Sequence, residues 1–76
     1  MNEETINNIF ATNLRVAMAK RNISVTSLHL LSGVSRSSIT EYRKGNMQMV
    51  NLRSISKIAK VLNIKPSELF IEGDKT

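Results

Sequence analysis

The side chains best suited to chemistry are gathered in one stretch, SGVSRSSITEYRKGN, from Ser32 to Asn46. Arg36 offers a forked donor, Ser37 and Thr40 hydroxyls that donate and accept, Glu41 a carboxylate, and Lys44 a point charge. None of these is a nucleophile with a base at hand. His29 is the sole histidine, cysteine is absent, and no acid pair, metal-ligand spacing or phosphate-cradling glycine loop occurs. An enzyme is therefore rejected and no cofactor or metal is expected. What remains is recognition by hydrogen bonding. On a helix Ile39 and Tyr42 share one side, so positions 36, 37, 40, 41 and 44 lie on the other. A short helix with such a face, held behind a tight turn, is what reading base edges in a major groove requires.

The base-reading candidates are Arg36, Ser37, Thr40 and Glu41. Arg36 can fork onto the O6 and N7 of a guanine, and Thr40 can set its methyl against a thymine. Ser37 is short enough to let the backbone approach. Two readings stand for Glu41: it accepts from a cytosine amino group, or it pairs with Lys44 one turn on. The phosphate-contact candidates are Ser24 and Ser35, each at a helix N-terminus, with Arg43, Lys44 and Asn46 at the far end of the reading segment. Arg43 has a blander reading as a solvated arginine.

Charge supports the same partner. Residues 5–67 hold ten basic side chains and one acid, a net charge of +9, while the whole chain carries +5 because the other acids lie at its two ends. A basic body points to a polyanion, most simply nucleic acid, although a well-solvated surface has the same composition. With 76 residues and 41% hydrophobic content, a single domain with one modest core is expected. It is placed at 1–71, with a short polar tail at 72–76. The lack of cysteine, of a signal-peptide pattern and of a long apolar run points to the cytoplasm, with no membrane partner.

Five helices position these residues, and no strand alternation competes with them, so the fold class is all-α. Ile6, Ile9, Phe10, Leu14, Ala17 and Met18 recur at helical spacing, with Asn2 as cap and Arg21 and Asn22 closing. Ser24 caps a second helix with Val25, Leu28, Leu31 and Ser32 on one side, and Gly33 stops it. Ser35 caps the third and Gly45 ends it. Asn51 caps a fourth with the stripe Leu52, Ile55, Ile58, Ala59 and Leu62, ended by Asn63, and Pro66 opens a short fifth with Leu69 and Phe70. The link Gly33–Val34–Ser35 forces a sharp corner between the second and third helices.

In this order and spacing, LRVAMAKRNIS, SLHLLSGVSRSSITEYRKGN and LRSISKIAKVLNIKPSELF resemble the phage-repressor-like (Cro/XRE-type) helix-turn-helix regulators over roughly Leu14 to Phe70. The resemblance implies a compact five-helix, lambda-repressor-like DNA-binding domain with an N-terminally extended first helix. It also implies a homodimer on a pseudo-palindromic operator, with helix 35–44 in the major groove. The chain departs from the family in three places. Val25 stands where a glutamine is usual, and His29 where a small residue is usual. Met18 and Arg43 replace an arginine–glutamate pair, so Met18 can pack and Arg43 turn outward. His29 is read as a packed, hydrogen-bonded side chain, with a pH switch as the alternative.

Met47, Met49, Val50, Leu52, Phe70 and Ile71 form a candidate dimer seam; the two methionines have an alternative place in the core. The function that follows is a small dimeric transcriptional repressor of phage or mobile-element type. The alternative is an antitoxin or other regulator that binds a protein partner, and a protein antagonist is a further candidate partner. Leu30, Ile6 or the methionine loop would be its docking surface.

Overall fold

A computed structural model describes residues 3–46 and 51–72, so Asn2, Met47, Met49 and Val50 lie outside the described residues. It contains four α-helices: α1 (Glu3–Lys20), α2 (Val25–Ser32), α3 (Arg36–Lys44) and α4 (Leu52–Leu62). The expected fifth helix is not α-helical: Pro66–Phe70 is a single 3-10 turn. Its Glu68 N–H reaches only three residues back, to the Lys65 carbonyl at 2.9 Å. The Asn13 side chain, on α1, meanwhile donates to the carbonyls of Leu69 (2.9 Å) and Ile71 (2.8 Å), holding the segment down before an α-helical turn can close.

The helix ends follow local chemistry. Ser24 and Ser35 take the extended conformation, and each hydroxyl accepts from the N–H three residues on, at 3.1 Å. Asn51 caps α4 through Arg53 and Ser54. Three helices end alike, with a left-handed residue (Asn22, Gly45 or Asn63) and a following N–H that reaches back five residues. The residue after the left-handed one is Ile23 behind α1 and Ile64 behind α4, and both pack on the core. Behind α3 it is Asn46, which is exposed. That polar exception matters below.

α1 packs against α3 and the terminal 3-10 turn, and α2 packs against α3 and α4. Between them Phe10, Leu14, Leu28, Ile39, Ile58, Leu62 and Leu69 are wholly buried. Phe10 sits edge-on to Tyr42 of α3 (centroids 5.7 Å apart, 87°) and tilted against Phe70 (5.2 Å, 33°). The early turns of α1 thus help support α3.

Two core expectations are corrected. Leu31, placed on the buried side of α2, is 66% exposed, and Leu52, placed in the α4 stripe, is 76% exposed. Each lies beyond the strip its helix buries. Among the described residues no polar or charged side chain is buried, so the polar chemistry is at the surface.

Candidate nucleic-acid interface

The corner between α2 and α3 is made by Gly33, whose φ of 79° lies in the left-handed region and whose N–H bonds the His29 carbonyl at 2.9 Å. The next N–H, of Val34, finds no helix carbonyl and goes to Ser32 Oγ at 3.1 Å. That hydroxyl in turn donates to the Leu28 carbonyl at 2.6 Å. The Val34 carbonyl meets His29 Nδ1 at 2.8 Å, and because a carbonyl only accepts, Nδ1 must carry the proton. His29 is therefore the packed, hydrogen-bonded side chain expected. Together His29 and Ser32 satisfy the backbone of a turn whose Val34 side chain dives into the core at 5% exposure.

Locked behind that turn, α3 has nine residues, a length of about 13 Å, comparable with the ~12 Å width of a major groove. Ile39 is wholly buried and Tyr42 is 6% exposed. On the other side Arg36, Ser37, Glu41 and Lys44 are exposed and Thr40 is half-buried. The face expected for base reading is thus assembled on one helix and directed outward. Ser35 is exposed at its start, with Ser24 exposed at the start of α2.

Of the two readings of Glu41, the one within the chain named Lys44, and the partner found there is Asn46. Asn46 Nδ2 donates to Glu41 Oε2 at 3.3 Å, and the Asn46 N–H donates to the Glu41 carbonyl at 3.0 Å. Where α1 and α4 close with an apolar contact across the helix end, α3 closes with a polar one. The end therefore faces water, and the carboxylate is tethered without being hidden.

Arg43 is half-buried rather than fully released, while Met18 packs at 2% exposure. Arg15, Val25, Thr40, Arg43 and Lys44 line a cleft formed by α1, the start of α2 and α3. It has three cations and no acid, a setting that attracts an anion. Arg15 also donates to the Arg43 main-chain carbonyl. Sequence reasoning counted Arg15 among the basic residues and missed this role. The contact spans 28 positions, and no local spacing signals it.

A family model of the Cro/C1-type helix-turn-helix DNA-binding domain matches residues 13–72. The chain belongs to that family. As a Cro/C1-type protein it is a DNA-binding transcriptional regulator with double-stranded DNA as its partner. The restriction-modification controller protein C.AhdI from Aeromonas hydrophila is similar in structure, with a TM-score of 0.75 and 35% identity over 82% of this chain and 92% of that one. An HTH_3 family transcriptional regulator from Vibrio cholerae shares the fold, with a TM-score of 0.81 at 22% identity. That similarity covers 91% of this chain and 38% of the regulator. No curated protein matches the sequence. Among the described residues no helix is long and apolar enough to cross a membrane.

Proposed function

We propose that this Cro/C1-type protein is a small dimeric repressor, of phage or mobile-element type, that reads a pseudo-palindromic operator with α3. The observation that carries this is the outward face of α3, with Arg36, Ser37, Thr40 and Glu41 opposite the buried Ile39 and Tyr42. In this reading those four residues contact bases. Arg43, Lys44 and Asn46 contact phosphates at one end of the helix. Ser24 and Ser35 serve at the two N-termini, where their hydroxyls are engaged in capping and first-turn N–H groups complete the anion site.

A monomer reading four or five base pairs discriminates too little, so two copies would be held about one helical turn of DNA apart. Leu52, Phe70 and Ile71, at 76%, 39% and 60% exposure, offer the seam, to which Met47, Met49 and Val50, outside the described residues, are assigned from the sequence. The unit is residues 1–71 with 72–76 as a tail, working in the cytoplasm at the nucleoid. The similarity to a protein described as a restriction-modification controller favours a compact regulator of this kind. Sedimentation equilibrium with and without a palindromic duplex tests the assembly. Two copies per duplex are expected, with Leu52→Glu or Ile71→Glu shifting the free protein to monomer. One copy per duplex from a monomeric protein would overturn it.

A further inference from the structure

A second surface feature lies in the groove between α2 and α4. Leu31, Ser32, Lys57, Lys60 and Val61 line it. Leu31 is 66% exposed and its neighbour Leu30 is 71% exposed. Single exposed leucines are ordinary, but Leu31 stands with Val61 in a lysine-rimmed groove, where apolar and cationic groups share one surface. Lys57 and Lys60 lie three positions apart on α4, so their ammonium groups stand about one helical turn apart on one rim. Neither α2 nor α4 contains an acid. No residue of α3 lines this groove, and neither does any proposed base or phosphate contact.

We propose that the α2–α4 groove docks an acidic amphipathic helix of a protein partner, compatible with α3 remaining on DNA. The apolar floor asks for a helix with Leu, Ile or Phe at i and i+3 or i+4, laid along Leu31 and Val61. The rim asks for Asp or Glu one turn apart, opposite Lys57 and Lys60. Charge complementarity selects this occupant over the two simplest others. A phosphate backbone would satisfy the lysines and leave Leu31 and Val61 in water. A second copy placed symmetrically on the groove would set Lys57 and Lys60 against their own counterparts.

The test is selection of a displayed library of helical peptides against the full chain. Enriched sequences are expected to be acidic with apolar residues at i and i+3 or i+4. Fluorescence anisotropy should show Leu31→Glu and the pair Lys57→Glu/Lys60→Glu each weakening them at least tenfold. Both variants should keep the wild-type unfolding midpoint and the wild-type operator sequence preference, and the peptides should form a ternary complex with operator-bound protein. Should the protein fail to bind any selected duplex, peptide binding to the free chain still decides this proposal separately from the DNA reading. Four results would overturn it: no enrichment, enriched peptides without acidic bias, binding indifferent to both variants, or displacement of the peptide by operator. It would be overturned equally if Lys57→Glu/Lys60→Glu flattened the salt dependence of DNA binding, assigning the lysines to phosphate. The same holds if Leu31→Glu converted a dimer to monomer, assigning the face to self-association.

Discussion

The guanidinium of Arg15 on α1 donates to the main-chain carbonyl of Arg43 in the last turn of α3. The final carbonyls of a helix have no partner within it and form its negative end. Here Glu41 and Tyr42 are satisfied by the N–H groups of Asn46 and Gly45, and Arg43 by a cation from another helix. Arg15 thereby fixes where the reading helix ends relative to the body of the protein. Because Arg15 is exposed, Arg15→Ala should cost only about 0.5–1 kcal/mol in urea unfolding. Its larger effect should be local, with faster amide exchange confined to the last turn of α3. Exchange unchanged there would show that the contact does not hold the helix end.

The corner before α3 should be more sensitive. His29→Ala removes the donor to the Val34 carbonyl in a partly buried setting and should cost about 1–2 kcal/mol. Ser32→Ala removes both the contact to Leu28 and that to Val34, and the double variant should be less than additive because the two side chains brace one turn. Gly33→Ala should cost about 1–2 kcal/mol from backbone strain alone, since an added Cβ meets nothing within 4 Å. Gly33→Asn should therefore recover part of the loss, and denaturant titration of the set checks each value. If Asn were no better than Ala, a cause other than left-handed strain would be needed.

How much of this was legible in the sequence depends on how local the cause is. Ser24, Ser35, Asn51, Gly33, Gly45 and Asn63 could be assigned because a cap or a left-handed stop is chemistry within a few residues. The outward face of α3 was legible because Ile39 and Tyr42 fix the buried side of a short helix. Leu31 and Leu52 were misplaced because periodicity gives the direction of an apolar stripe but not its width, which the neighbouring helix decides. For Glu41 the sequence leaves a base contact and a Lys44 pair open, and neither anticipates that the turn after Gly45 brings Asn46 back over it. The roles of Arg15 and Asn13 are tertiary, spanning 28 and more than 50 positions, and had no local signature.

Arg43 tests the phosphate side of the interface. Its side chain lines the basic cleft with Arg15, Thr40 and Lys44, while its main chain makes the contact to Arg15. Arg43→Ala therefore keeps that backbone contact, and stability should change by no more than about 0.5 kcal/mol. Binding should weaken to all sequences alike, with the slope of log K against log salt flattened by about one unit. Lys44→Ala should behave similarly. An unchanged salt slope for Arg43→Ala would identify the side chain as solvated only.

Sequence preference should reside in Arg36, at the start of α3, and Glu41, past its middle, both of them exposed. Arg36 presents a planar fork that matches the two acceptors of guanine, so Arg36→Ala should cost about 1–3 kcal/mol on the true operator and relax preference at one base position. Glu41 is the lone acid within residues 5–67 and would be repelled by phosphates unless it accepts a hydrogen bond. Asn46 already supplies one donor to Oε2, which restrains the carboxylate before DNA arrives. Glu41→Gln keeps the shape and adds a donor, so it should change which base is preferred at its position rather than tighten binding everywhere. Asn46→Ala leaves the carboxylate untethered and should broaden preference at that same position, beyond any loss of a phosphate contact. Selection from random duplexes with each variant separates these effects. Uniform loss of affinity with the wild-type preference intact would mean that α3 does not read the sequence.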